Sequence, residues 1–362
     1  MSLLEKDHFL LGLFGPNCSS GICATTIPDR WVNSWENNVR LAQMVDSAGL
    51  DFILPIARWV GFGGETNFNG DVLDPLTYAA GLLALTKNLH VMVTLHTGFH
   101  NPVVAAKQIA TVDQIGSGRV GVNIVAGWNR PEYEALGIKM PDHSERYKYS
   151  QEWFEIVQKV WKEEEFFDFE GEYWTLKNVL GAPRPRRRPT IVNAGGSGEG
   201  KAFAVRNADV LFTGASDLEK SKGEVEELKA KGEAQGRTVG VVTPIMVICR
   251  PTDEEAQAFY RYYGEEHMDW VAAQRVVEGL IASSHTYPPE VMEKLKRSFG
   301  NSFGSYTIVG TPNHVAKEIL RVKEAGFKGA ALGFVDYLKE FEYFRDEVMP
   351  LLVEGGIRPA MH

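Results

Sequence analysis

The sequence predicts a (β/α)8 barrel, an expectation resting on three observations. Short β-rich apolar runs alternate with longer segments of helical periodicity, as parallel strands joined by crossover helices do. Eight such runs fall between Phe9 and Asp336. A length of 362 residues suits one large barrel with insertions, or two average domains. The reading adopted is a single barrel domain over 1–362, with a doubly wound sheet as the alternative.

The elements follow in order. FLLGLFG (Phe9–Gly15) reads as the first strand. Asp29 is placed to cap a helix whose Trp31, Trp35, Val39, Ala42 and Val45 recur at helical spacing, with Gly49 ending it. LDFILPI (Leu50–Ile56) is the second strand, followed by a glycine-rich loop and an apolar helix near Pro75–Leu85. LHVMVTLHT (Leu89–Thr97) is the third, leading to a helix with Pro102 near its first turn and Val103, Ala106, Ile109 and Val112 on one face. RVGVNIVAG is the fourth. A long helix around Glu145–Trp161 has Tyr149, Trp153, Ile156, Val157 and Val160 as its stripe. FFDFEGEYWTLKN then reads as a hairpin. PTIVNAGG, ADVLFTG and GVVTPIMVICR are strands five to seven, with a helix at Ser197–Arg206 after the fifth. GAALGFVD (Gly329–Asp336) is the eighth. Between the last two strands lies a polar helical excursion, about 252–306, containing SSHTYPPE and RSFGNSFGSY. It reads as an insertion over the barrel mouth, where barrel active sites are built.

Composition narrows the function classes. A formal charge of −9 lacks the basic footprint of a nucleic-acid binder. The densest basic run, PRPRRRP (Pro183–Pro189), is interleaved with proline and reads as a stiff solvated connector. No apolar stretch approaches a membrane span, and the N-terminal run is unlike a signal peptide. Cys18, Cys23 and Cys249 are odd in number and sparse, which fits a reducing, cytoplasmic setting.

Few residues carry chemistry by themselves. RWVGFGGETNF (Arg58–Phe68) lacks both the P-loop and the Rossmann glycine pattern and reads as a mobile loop needing positive φ; Arg58 and Trp59 can still face a ligand from it. In NAGGSGEGKAFA (Asn193–Ala204), glycines and Ser197 stand where a strand gives way to a helix. Two readings stay open there: a phosphate monoester on the helix N-terminus, or Ser197 as a simple N-cap. His96 and His100 in HTGFH are four apart, but no carboxylate or cysteine follows at ligand spacing, so no metal is expected. Arg146 and Tyr147 begin a helix and can reach an anion near the mouth. No nucleophile elbow is present. Hard chemistry without a nucleophile points to a bound cofactor.

GFGGETNF, NPVVAAKQIATVDQIGSGRVGVNIVAGWNRPEYEALGI, HSERY, FEGEYWTL and NAGGSGEGKAFA resemble the bacterial luciferase-like, flavin-dependent monooxygenases, and the resemblance spans nearly the whole chain. Within that family they look closest to the pyrimidine (uracil) monooxygenases, then the dimethylsulfone monooxygenases. The resemblance implies a TIM-type barrel holding reduced FMN supplied by a separate NAD(P)H:flavin reductase. It implies insertion of one atom of O2 into a small organic substrate through a flavin peroxide, at C4a or N5, and a homo-oligomer, dimer or tetramer. Carried over by position, the flavin contacts are Ala57, Arg58, Asn123, Glu132, Arg146, Tyr147 and Ser197, with Gly195 and Gly196 in the same turn. The catalytic O2 pocket falls on Thr94 and Asn123. Asn123 offers an amide donor and a carbonyl acceptor, Thr94 a hydroxyl to donate to oxygen, and Arg146, Tyr147 and Ser197 a phosphate clamp.

Departures mark the substrate pocket. Uracil enzymes carry Lys where Arg58 stands and small residues where His96 and Phe99 stand. With Trp59 and Trp128 these make a bulkier, partly aromatic pocket, so a pyrimidine-like heterocycle, an organosulfur compound and a halogenated compound are all expected substrates. The other readings are a non-catalytic reduced-flavin binder and a deazaflavin-dependent dehydrogenase on the same barrel.

Overall fold

The computed structural model describes residues 3–215, 217–281 and 288–360. Its elements open with β1 (Leu10–Phe14), α1 (Trp35–Ser47), β2 (Phe52–Leu54), α2 (Pro75–Leu85), β3 (His90–His96), α3 (Pro102–Ile115) and β4 (Val120–Val125). There follow α4 (Arg130–Ala135), α5 (His143–Lys162), β5 (Phe167–Glu170), β6 (Thr175–Val179), β7 (Thr190–Asn193), α6 (Gly198–Asn207), β8 (Val210–Phe212) and α7 (Leu218–Glu233). The last third holds β9 (Gly240–Cys249), α8 (Asp253–Arg261), α9 (Trp270–Ile281), α10 (Pro289–Ser302), β10 (Tyr306–Gly310), α11 (Pro312–Glu324), β11 (Gly329–Gly333), α12 (Tyr337–Tyr343) and α13 (Met349–Glu354).

Hydrogen-bonded neighbours run β1-β2-β3-β4-β7-β8-β9-β11 and return to β1, every pair parallel. The chain therefore forms the expected eight-stranded closed barrel. Period-2 alternation divides each strand between two cores. Leu11, Leu13, Val91, Val93, Val122 and Ile124 face the helices, while Leu10, Phe14, Leu54, Met92, Val192 and Met246 fill the lumen. The same alternation turns Thr94, His96 and Asn123 inward, at the C-terminal ends of β3 and β4.

The N-terminal end of the barrel is closed by a buried carboxylate. Asp51 accepts from Leu11 N (2.9 Å), Lys6 Nζ (2.7 Å) and Arg358, and pairs with His8 Nε2 (2.9 Å). That ties both ends of the chain beneath the barrel and leaves the opposite mouth for function.

Two expectations change. Asp29 does not cap α1: the helix starts at Trp35, and Ser34 accepts from Asn37 N as its N-cap. Trp31 keeps a helical phase in sequence, but its backbone N–H donates to Val335 O and its indole to Pro16 O, both at 2.7 Å. The excursion also ends in a strand, β10, which pairs in parallel with Ile245–Cys249 of β9. β8 covers only Gly240–Val242 of that ten-residue strand, so β10 satisfies the rest of the same edge. Helices α8–α10 precede it, and α9 and α10 pack over the mouth. The motif SSHTYPPE falls mainly outside the described residues.

Candidate functional site

The mouth is built around one pair in register, Thr94 on β3 opposite Asn123 on β4. Thr94 Oγ1 donates to Pro55 O at 2.6 Å and accepts from Asn123 Nδ2 at 3.1 Å. In this arrangement the Thr94 hydroxyl bridges the β2 end and Asn123 and orients the amide. The amide is fixed so that its Oδ1, buried and without a protein partner, is the free acceptor. A buried acceptor left unpaired costs about 1–3 kcal/mol, and a bound donor removes that cost.

The loop after β2 supplies a wall. Arg58, its side chain 4% exposed, donates to Glu132 Oε1 at 3.2 Å, and that carboxylate, 1% exposed, also accepts from Trp59 N at 2.9 Å. Glu132 is brought in by α4, so the short helix after β4 clamps the loop after β2. Ala57, just before the pair, is buried. The Arg58 guanidinium lies 5.0 Å from the ring centres of both Phe62 and Trp128, which are stacked on each other. On the other side Trp59, His96 and Phe99 form a ring triangle, with centroids 5.1–5.4 Å apart. His96 is 4% exposed and its Nδ1 has no partner. Burial, then the Arg58 charge, then His100 push its pKa down to about 3, so the imidazole is neutral.

The loop continues as GFGG, with positive φ at Gly63 and Gly64. The mobile loop expected there is tied down. Thr66 donates from N and Oγ1 to Asp269 Oδ2 at 2.8 and 2.9 Å, and Arg275 donates to Phe62 O at 3.3 Å. Both partners come from the segment around α9, so the excursion fixes the pocket wall.

The glycine-rich turn after β7 forms a second centre. Asn193 donates to Ile124 O (2.7 Å) and accepts from Gly195 N (2.8 Å), which holds the turn against β4. Ser197 Oγ accepts from Gly200 N at 3.0 Å as the N-cap of α6. The cap uses an oxygen lone pair and leaves the hydroxyl proton, so the two readings of Ser197 are compatible. A Cβ at Gly196 or Gly198 would meet nothing within 4 Å, whereas one at Gly200 would lie 2.6 Å from the Tyr147 hydroxyl. The turn thus opens on space at Gly196 and Gly198 and packs against Tyr147 at Gly200.

Arg146 and Tyr147 are adjacent in sequence but engage different partners. Tyr147 stands by the turn, with His143 at 5.3 Å, and His143 pairs with Glu199 at 2.8 Å. Arg146 is buried, donates to Gly127 O and lines a cleft with Gly98, Tyr133 and Tyr149; its Nε has no partner. Sequence reasoning missed His143, Asn193 and the aromatic group of Phe14, Phe212 and Phe303 over the lumen. The HSERY segment was the only signal pointing to His143.

Taken together, the mouth holds a Ser197-capped helix N-terminus that opens on space at Gly196 and Gly198, and a buried Asn123 amide oxygen without a protein partner. Comparison with known proteins gives a consistent answer. The family model described as "Luciferase-like monooxygenase" matches residues 10–329. The FMNH(2)-dependent dimethylsulfone monooxygenase of Pseudomonas fluorescens is 31% identical, over 94% of this chain and 93% of that one. The pyrimidine monooxygenase of Escherichia coli O6:H1 is 30% identical, over 99% and 92%. A riboflavin lyase solved with modified FMN and riboflavin superposes with a TM-score of 0.87 at 23% identity, covering 98% of this chain and 93% of that one, a likeness of fold.

Proposed function

The chain belongs to the luciferase-like monooxygenase family, and from that membership we propose that it is a two-component oxygenase using reduced FMN and O2. Its substrate is a small organic molecule: a pyrimidine-like heterocycle, an organosulfur compound or a halogenated compound. The observation that carries this reading is the unpartnered Asn123 Oδ1, fixed through Thr94 at the barrel mouth.

The residues present fit the cofactor. Open space at Gly196 and the free Ser197 proton suit the phosphate, with Gly195 N already held by Asn193 to shape the turn. Tyr147 flanks that turn, while Arg146 serves the separate cleft it lines with Gly98 and Tyr133. Ala57, Arg58 and Glu132 would border the cofactor's ring system. Bound reduced FMN supplies the electrons that activate O2. The chain's own work is to bind, orient and exclude water. Asn123 Oδ1 accepts a hydrogen bond from a donor above the floor. Thr94 holds that amide in one orientation. Arg58, neutralised by Glu132, borders the pocket without adding net charge. Trp59, His96, Phe99 and Trp128 make the substrate walls and keep the site dry.

The proposal includes a separate NAD(P)H:flavin reductase, a cytoplasmic setting and a homodimer or homotetramer. Among the described residues no helix is long and apolar enough to cross a membrane. The test is Asn123→Ala, assayed with FMN, a flavin reductase, NADH and O2. The variant is expected to bind FMN and to consume NADH while product per NADH falls at least about tenfold, in the range of a lost positioned donor or acceptor. Normal coupling in that variant contradicts the role given to Asn123.

A further inference from the structure

We propose that Tyr173, at the tip of the β5–β6 hairpin, is a positioning residue that holds the start of α5 against the glycine-rich turn for FMN. The inference rests on the oxygenase reading for what that turn binds, and adds the element that holds it in shape.

The segment FEGEYWTL folds as this hairpin, and two strands alone are marginally stable. It rides on one face of α5, where Glu145, Tyr149 and Glu152 recur at i, i+4 and i+7. The Glu152 carboxylate accepts from three consecutive backbone amides of the tip, Glu172 N at 2.8 Å, Tyr173 N at 3.0 Å and Trp174 N at 2.8 Å. A Cβ at Gly171 would lie 2.3 Å from Glu152 Oε1, so this glycine lets the tip close on that carboxylate. Tyr149 packs against the rings of Tyr173 and Trp174, with centroids 5.4 and 6.0 Å away. From the tip fixed in this way, Tyr173 Oη donates to Glu145 Oε2 at 2.6 Å. The neighbouring carboxylate pushes the pKa of the Tyr173 hydroxyl up, so the proton stays on its donor.

The start of α5 lacks the usual restraint. Asp142 stands at its N-cap and makes no side-chain bond to the first amides, whereas Ser34, Ser197 and Asp217 cap α1, α6 and α7. Lys148 also donates to Glu145, at 2.8 Å, but it is exposed and belongs to the same helix, so it cannot locate that helix against its surroundings. Tyr173 reaches in from a different element. The segment it holds carries His143, paired with Glu199 of α6, and Tyr147, whose hydroxyl lies 2.6 Å from where a Gly200 Cβ would be. Glu145 meets the hairpin and Tyr147 meets the turn, so the hairpin braces the helix from the side away from the cofactor.

The test compares Tyr173→Phe, which keeps the ring against Tyr149, with the parent chain. Amide hydrogen exchange is followed on the FMN-free protein, and FMN is titrated by fluorescence. Exchange at Arg146–Ser150 is expected to accelerate at least about fivefold while Phe154–Lys159 is unchanged. The Kd for FMN is expected to rise about fivefold, with melting temperature moving by less than about 2 °C. Glu145→Gln keeps an acceptor for the hydroxyl and is expected to bind FMN within about twofold of the parent. Glu145→Ala is expected to reproduce the Tyr173→Phe loss, with no further loss when the two are combined. Parental exchange in Tyr173→Phe overturns the proposal, and so does faster local exchange with unchanged FMN affinity. Faster exchange throughout the chain with a large fall in melting temperature also overturns it, since that marks a general structural role. A parent chain that binds no FMN contradicts the oxygenase reading instead, and the exchange measurement, made without FMN, still decides whether Tyr173 holds α5.

Discussion

Glu132 keeps its carboxylate 1% exposed against the 4% exposed guanidinium of Arg58 at 3.2 Å, and also receives Trp59 N–H. Removing one partner of such a pair leaves an uncompensated buried charge, at a cost of about 3–5 kcal/mol, while replacing both by apolar groups can be neutral. Glu132→Gln is therefore expected to lower unfolding stability by about 3 kcal/mol in urea titration. Adding Arg58→Met to that variant is expected to recover most of the loss. A Glu132→Gln variant as stable as the parent contradicts the pairing. At this scale the chain order hides how the candidate side chains are committed. Thr94 and Asn123 stood out as a hydroxyl and an amide, but nothing near Thr94 in the chain says that Pro55 O, 39 positions earlier, takes its proton.

The turn between β7 and α6 separates cofactor binding from folding. Gly196→Ala meets nothing within 4 Å, so melting temperature is expected to hold, while FMN affinity falls because the added methyl fills the open space. Gly200→Ala places a Cβ 2.6 Å from the Tyr147 hydroxyl and 2.8 Å from Gly195 Cα, so stability and affinity are expected to fall together. If Gly196→Ala leaves FMN titrations unchanged, the phosphate does not sit there. The barrel strands were legible because lumen and helix faces alternate with period 2, and α2 was readable to its ends from Pro75 and the apolar run. The α1 start was not. Trp31 has the spacing of a helical residue, yet its backbone bond to Val335 O belongs to a contact with the far end of the chain. β10 was missed for a related reason: its need arises from the bare upper edge of β9, a fact about the sheet and not about Tyr306–Gly310.

Across the whole molecule, acid acts on groups at both ends of the barrel. Burial first, with nearby positive charge, holds His90 down to about 4 and His96 to about 3. The unfolded chain binds their protons near 6.5, so folded stability drops as pH falls from 6.5 towards 4, by roughly 1.4 kcal/mol per unit for each imidazole. Asp51 is the opposite case. Burial works to raise its pKa, but His8, Arg358 and Lys6 outweigh it and hold it well below 3.8. Its contribution is intact above that value and is lost as pH falls further. Melting temperature is thus expected to decline from pH 6.5 downward, and His96→Phe to flatten the decline between 6.5 and 4. A flat profile through that window contradicts buried neutral imidazoles. The claim that unites the mouth, the turn and the family is oxygen transfer. The protein, with FMN, a flavin reductase and NADH, is incubated under isotopically labelled dioxygen with 2-pyridone, dimethyl sulfone and a halogenated ring, and products are weighed by mass spectrometry. One labelled oxygen atom in a product is the predicted result; NADH consumed with no label in any organic product contradicts the account.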